Sequence, residues 1–535
     1  MHFRKRLLYL GPALSLFCLL IIFPGKMHSR PAFASYSTRA EENGNVPVLT
    51  YKYDNQRTGA NANETILTPD NVKEQSFGQL ISYPADGQIY AQPLYVPNVK
   101  VGNATRNLVF VVTQRDSAYA FDADSTDGQA APVWHTSFLN EGAVPVTSQA
   151  KKCPNVEPDM GVTSTPVIDR ATNTLFLVSY AMQNSAFIYK IHALDLATGQ
   201  EKTGSPVLLA RTGFNSNTER QRAGLLLVKG RIYIAFASFC DHGPYHGWLL
   251  SYSYDSSGFH ARNAYNATPT GKDGGIWSGG SGIAADEEGN IYAMTGNGTF
   301  DLNTGGPDAG DSFLKLTPNL VLIDYFTPFN QTCLNAKDLD LGSGGPLLAP
   351  ENWLISGGKE GRLYVIDIRH MGHFHNVPNP CAQQAALNLD PIAQELAPNK
   401  ASAVFSTPVY WHGSRGDFVF VAGIHDHTRA YSFSQGKLAG PISLTPETFT
   451  YSGGNPVVSS NGTTPGTGIL WTIVAPGYLR AYDATNLNHE LYSDQFGSYN
   501  KFVPPVVTNG KVFVATQNSL KIYGLLTNKP TPPGK

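Results

Sequence analysis

The feature that most constrains this chain is a strand-and-turn unit that recurs along almost its whole length. VSYAMQNSAFIYKIHALDLATGQEK carries Ala193, Leu194, Asp195, Thr198 and Gly199 at its centre. Degenerate copies follow the same plan in AYAFDADSTDG, LLSYSYDSSG, DSFLKLTPN, RLYVIDIRHMG, TRAYSFSQG, YLRAYDATN and SLKIYGLL. Each of the eight copies follows an opening strand led by Pro or Gly, at Pro93, Pro166, Gly224, Gly282, Pro346, Pro408, Pro456 and Pro505, roughly 50 to 70 residues apart. Such a period means repeated four-stranded units, because one unit cannot bury both faces of its sheet and must stack on its neighbours. The expected fold is all-β, an eight-bladed β-propeller of four-stranded antiparallel blades. Seven blades is the alternative, since the fifth and eighth units are short.

Closing such a ring requires a strand that the last copy lacks. PPVVTNGKVFVATQNSLKIYGLL ends after its third strand, and the chain tails off in TNKPTPPGK. FGQLISYPADG (77–87) resembles a fourth strand, comparable to LVLIDYFTP after the fourth copy, yet no first three strands precede it. Pairing the two ends completes one blade and removes both exposed sheet edges.

The 52 glycines, 36 prolines and only 15% charged residues suit one large all-β domain rich in turns. Arg4, Lys5 and Arg6 precede an apolar run from Leu7 to Phe23 and an Ala32-Phe33-Ala34 site, the layout of a cleaved export signal. An uncleaved anchor is the alternative, and bulky Phe17 before Cys18 argues against a lipoprotein. The expected organisation is a signal peptide over 1–34, an N-terminal extended segment over 35–75, the propeller over 76–526 and a disordered tail over 527–535. Export would place the protein in the periplasm, at the cell surface or outside the cell. Removing 1–34 takes away five basic residues and no acidic one, moving the formal charge from −2 to −7, so nucleic acid is excluded as a partner. Cys153, Cys240, Cys333 and Cys381 remain, and an oxidising compartment would pair them. Three pairings are possible; Cys153 with Cys240 and Cys333 with Cys381 is the one adopted.

The Asp-x-x-Thr-Gly turns, together with YDNQRTGANANETILTPDNV (53–72), resemble the pyrroloquinoline quinone (PQQ) dehydrogenase-like propellers over nearly the whole mature chain. In that family an acidic residue of blade three, an Asn of blade four and a nearby Asp hold calcium and the quinone, and the Asp is the general base. The matching segments here are FCDHGPYHGWLLSY, offering Asp241; AMTGNGTF, offering Asn297; and DYFTPFNQTCLNAKDLDLGSGG, offering Asp340 with Asp338 two residues earlier. Oxygen ligands of this kind suit calcium. SGGKEGRLYVID offers Lys359 where the family sets a cation against the quinone oxygens. GGIWSGGSG offers Trp277 as the floor under the flat cofactor, with about three extra residues before the next strand. The resemblance thus implies Asp340 and Lys359 as catalytic residues, Trp277, Lys359 and Asn297 as cofactor-binding, and Asp241, Asn297 and Asp340 as metal ligands. Each has a structural alternative: a glycine-flanked turn for Asn297, solvated or capping acids for Asp241, Asp338 and Asp340, a hairpin lysine for Lys359 and inter-blade packing for Trp277.

Several departures weigh against activity. The family's adjacent cysteine pair is reduced to Cys153, the Arg that follows it is replaced near Met160, and an acidic residue before the first blade is replaced by Tyr90. No C-x-x-C-H occurs, so no covalent c-type haem is expected and an active enzyme would need an external electron acceptor. His370, His373 and His375, with His425 and His427, are weaker metal candidates lacking a matching third ligand. The expected function is an exported PQQ- and calcium-dependent oxidoreductase acting on alcohols, aldoses or polyols. The rival is a non-catalytic scaffold binding protein or carbohydrate, for which exposed Tyr245 and Trp248 would provide contacts, with packing between blades the alternative favoured for Trp248.

Overall fold

Asp195 shows why the repeated turn stacks one blade on the next. Its Oδ1 accepts from the Ala197 and Thr198 amides and the Thr198 hydroxyl, which tightens the turn. Gly199, at φ 68°, then lies so close to the Trp134 ring of the preceding blade that a Cβ would be 2.4 Å from it. Trp134 Nε1 returns a 2.9 Å bond to the Leu196 carbonyl. The same glycine-on-tryptophan contact recurs between Gly436 and Trp353. The motif is therefore a docking device as well as a turn.

The computed structural model describes residues 45–127, 131–397 and 403–526. Within them eight antiparallel sheets form the blades of a β-propeller. Blade 1 contains Leu94–Val101, Ala104–Val112, Ser117–Asp122 and Trp134–Ser137. The inner strands of blades 2 to 7 are Val167–Asp169, Leu226–Val228, Ala284–Ala285, Leu347–Ala349, Val409–Gly413 and Val457–Ser459. Blade 8 joins Val506–Thr508, Lys511–Ala515 and Ser519–Leu525 to the N-terminal strand Phe77–Pro84. The closing register pairs Phe77 with Leu525 and Pro84 with Ser519. The short fifth unit is completed by Gln394–Leu396, after an excursion in which His373–Phe374 adds to the outer edge of blade 4.

Hydrophobic clusters occupy every junction between blades. Leu94, Phe110 and Leu177 fill the first, and Phe77, Trp471, Tyr492 and Tyr523 fill the closing one. Phe77 meets Tyr492 edge-on at 4.9 Å.

The N-terminal segment stitches the ring from inside. Val48 exchanges bonds with Tyr95, Leu49 accepts from Ile168, Asn55 bonds to Leu227 and Ala285, Gln56 accepts from Leu348, Thr58 from Tyr410 and Gly59 from Val458, while Tyr53 Oη accepts from Val507 N. One segment thus touches all eight blades. Arg57, fully buried, donates to the carbonyls of Ile283, Leu225, Tyr51 and Asp54 and to Thr50 Oγ1. Lys52 Nζ donates to the carbonyls of Thr407 and Pro456. Both adopted disulfides are present, Cys153–Cys240 and Cys333–Cys381. The proposed signal region 1–34 and tail 527–535 lie outside the described residues.

Candidate functional site

Three turns at the same end of the inner strands bring the central residues together. Asn297 lies between Ile291–Met294 and Phe313–Leu316 of blade 4, and Lys359 between Trp353–Gly357 and Leu363–Asp367 of blade 5. Asp338 and Asp340 follow the short helix Gln331–Ala336, which the Cys333–Cys381 disulfide ties down. Gly296 is required here because a Cβ would stand 2.4 Å from Asp340 Oδ1 and 3.0 Å from Trp277 Cδ1. Trp277 opens a turn in which Ser278, Gly279 and Gly280 all have positive φ.

The resulting geometry is an acid-and-lysine cluster. Lys359 Nζ is 2.6 Å from Asp340 Oδ2 and 2.8 Å from Asp338 Oδ1. The Asn297 amide donates to Asp340 Oδ1 at 2.8 Å, and its side-chain Nδ2 donates to Asp338 Oδ1 at 2.8 Å. Burial raises Asp340 above the ordinary carboxylate range, even though Lys359 and the Asn297 amide pull the other way. Burial disfavours the charge on Lys359, but Asp340 and Asp338 overcome it and raise its pKa. Asn297 is not in the left-handed region, and Lys359 is a bridging cation with its side chain 22% exposed rather than a free hairpin lysine.

Not every expected residue joins this cluster. Asp241 lies in an exposed left-handed turn, where its Oδ1 accepts from the Tyr245 hydroxyl at 3.1 Å, with no bond to Asn297 or Asp340. Tyr245 links the two regions: burial raises its phenol, and Asp241, Asp273 and Asp340 add to the rise. Tyr245 and Trp248 are only 2% and 6% exposed, which removes them as exposed platforms; Trp248 meets Phe214 edge-on at 6.2 Å between strands. The histidines serve separate local contacts: His373 with Asp324, His375 with the Leu389 carbonyl and His427 with the Thr445 carbonyl. Among the described residues no three His, Cys, Asp or Glu side chains converge as a metal-holding group.

Asp311 is a site residue that motif reading passes over. It is fully buried behind Asp340; its Oδ1 accepts from the Leu341 amide at 3.1 Å and its Oδ2 has no partner. Burial, reinforced by Asp340, raises its pKa well above the ordinary carboxylate range. Its position just before a blade strand, in DAGDSFLKL, is the only sequence signal. Asn297 Oδ1, Trp277 Nε1 and Ser278 Oγ are likewise buried without partners. Native proteins leave few such atoms unsatisfied, and their concentration at one place marks a position for something else. Tyr90, at the position where the resemblance expects an acid, lies beside Arg222 and Arg220.

The comparisons with known proteins agree with the fold. No protein-family model and no curated protein matches the chain. Among solved structures, a quinohemoprotein alcohol dehydrogenase from Comamonas testosteroni superposes with a TM-score of 0.61 at 13% identity, covering 94% of this chain and 83% of its own. A europium-containing methanol dehydrogenase gives 0.60 at 12% identity, covering 91% and 99%. A quinohemoprotein alcohol dehydrogenase from Pseudomonas putida HK5 gives 0.57 at 12% identity, covering 92% and 82%. At these identities the likeness is one of fold.

Proposed function

We propose that the protein is an exported oxidoreductase that removes hydrogen from a hydroxylated small molecule, using PQQ and a divalent cation such as calcium and passing electrons to an external acceptor. The observation that carries this reading is the meeting of Asn297, Asp338, Asp340 and Lys359 around one buried carboxylate, with Trp277 alongside. The fold likeness to quinohemoprotein and europium-containing dehydrogenases supports it.

The residues fit such a group. Asn297 Oδ1 is a buried, unpartnered oxygen beside two carboxylates, the donor type that hard cations take. Asn297 and Asp340 would hold the ion, and Trp277 would offer its ring to the flat quinone. When bound, PQQ supplies the two-electron acceptor and the cation polarises its reactive carbonyl. Asp340 takes the proton of the substrate hydroxyl, and its raised pKa brings it closer to the working range of a general base. Lys359 keeps the Asp340 carboxylate oriented and stabilises anionic charge developing nearby. Burial of Asp311 disfavours a second negative charge behind Asp340.

The test is dye-linked oxidation of alcohols, aldoses and polyols by protein supplied with PQQ and calcium. Turnover should fall by about 10²–10⁴-fold in Asp340→Asn, the range for loss of a positioned base, with unchanged thermal unfolding. No turnover with any substrate, or equal turnover in the variant, would favour the rival scaffold for a protein or glycan.

A further inference from the structure

Buried charge also gathers in blade 5, with the opposite sign to the Arg220, Arg222 and Lys501 group, whose members share one field. Glu360, Glu395 and Asp390 are arranged around a single guanidinium. Arg362 Nη1 is 2.7 Å from Glu395 Oε2, and its Nε is 3.3 Å from Glu360 Oε2. Glu395 Oε1 accepts from the Asp390 amide at 2.9 Å, and Asp390 Oδ1 accepts from the Phe329 amide at 2.9 Å. Asn330 Nδ2 closes the circuit on Glu360 Oε1 at 2.9 Å. Tyr364 stands directly opposite Glu395 where Leu363–Asp367 pairs with Gln394–Leu396, which puts the two side chains on one face. The nearest other cation is engaged elsewhere, since Lys359 bridges Asp338 and Asp340.

Three oxygens of this circuit are left over. Asp390 Oδ2, Asn330 Oδ1 and the Tyr364 hydroxyl have no hydrogen-bond partner, although their residues are only 6%, 0% and 1% exposed. Turning Asp390 or Asn330 would break one bond to make another, because the second polar atom of each is already held. With three carboxylates against one guanidinium, the ionised circuit carries two negative charges in excess. Burial accordingly pushes Asp390 up to about 8, with Glu395 and Glu360 adding to the rise and the Phe329 amide and Arg362 opposing it. Burial also raises the Tyr364 phenol, and Glu360, Asp390 and Glu395 raise it further. Buried acceptors with no donor and uncompensated negative charge are together the setting a hard cation satisfies.

We propose that this circuit is a calcium site separate from the axial cluster, with Asp390 Oδ2 and Asn330 Oδ1 as ligands and the Tyr364 hydroxyl and water completing an all-oxygen shell. Calcium accepts carboxylate, amide-carbonyl and water oxygens in an adaptable shell. Only one of these ligands is a carboxylate, in accord with the absence of three converging acids among the described residues. The ion's place is structural. Asn330 opens the short helix Gln331–Ala336 that leads to Asp338 and Asp340, and Glu360 follows Lys359. Calcium would pin the start of that helix to the excursion carrying Asp390, the two segments that Cys333–Cys381 also joins. The site stands whether or not the axial residues bind PQQ.

The test titrates calcium chloride, without PQQ, into the whole protein stripped with EDTA and carrying Asn297→Ala and Asp340→Asn, which remove the axial donors. One calcium should bind in calorimetry and raise the unfolding temperature. Adding Asp390→Asn or, separately, Asn330→Ala should weaken binding by about tenfold or more, as loss of a ligand's charge or oxygen does. Asp390→Asn preserves size and should fold without the ion, with the circular dichroism of its parent and an unfolding temperature that no longer responds to calcium. No calcium binding in the axial variant would overturn the site, as would binding unchanged by Asp390→Asn. A thermal shift reproduced by sodium chloride at the same ionic strength would overturn the assignment to calcium.

Discussion

The two ends of the inner strands carry similar buried groups and treat them in opposite ways. At the end stitched by residues 48–59, Arg57 and Lys52 are buried and bonded to carbonyls from four blades. At the other end, Arg220, Arg222, Asn297, Trp277 and Asp311 are buried with atoms left unpaired. Blade 3 holds both within a few residues, since Leu225 accepts from Arg57 while Arg222 Nε has no partner. A buried polar group with its bonds made consolidates a fold; one without them weakens it until a ligand completes it. The first end is consolidated by its own bonds, and the second keeps buried polar atoms unpaired.

The largest effect should come from the stitched end. Arg57→Ala strands several buried carbonyls, and the loss of about 3–5 kcal/mol expected for breaking such a network would appear as a lower urea midpoint. Unchanged stability would break the contrast. A glycine pair sharpens it. At Gly282 a Cβ would press within 3.2 Å of the Arg57 guanidinium, so Gly282→Ala should cost about 1–3 kcal/mol of stability through overpacking. At Gly296 the Cβ would displace Asp340, and Gly296→Ala should lower turnover by about 10²-fold, as misplacement of a reacting group does, with a smaller shift in unfolding temperature.

The smallest effect is a pH slope common to both ends. Burial lowers Lys52 and Lys501 from an ordinary 10.5 to about 7. Between those values the unfolded chain binds protons that the folded chain does not, so stability rises with pH across the window and is lost as pH falls toward 7. Lys52→Met should remove part of the slope in every condition. Lys501→Met should remove the part due to Lys501. Urea unfolding at pH 7 and 9.5 measures both.

The ring was legible because its signals are local and repeated. Pro and Gly punctuation set the strands, Asp195, Thr198 and Gly199 set the turns, and the strand missing after Leu525 had one counterpart, at Phe77. The clustering of Asn297, Asp338, Asp340 and Lys359 could be anticipated from motif order, since each lies on a blade-end turn whose direction the fold fixes. The stitching by residues 48–59 could not, because the bonds that join most of the blades to it are made by backbone atoms that carry no residue signature. Asp241 shows the limit of transfer by motif, for its left-handed turn delivers the carboxylate to Tyr245. Arg220, Arg222 and Lys501 come from units far apart in the chain, so only the closed ring makes a cluster of them.

The account's central claim is that the unsatisfied end of the ring is a ligand site, and the most direct measurement is an equilibrium titration with PQQ, with and without calcium, followed by tryptophan fluorescence. The account predicts saturable one-to-one binding that calcium tightens and Asn297→Ala weakens. The absence of binding in both conditions, or binding indifferent to calcium and to Asn297, would contradict it.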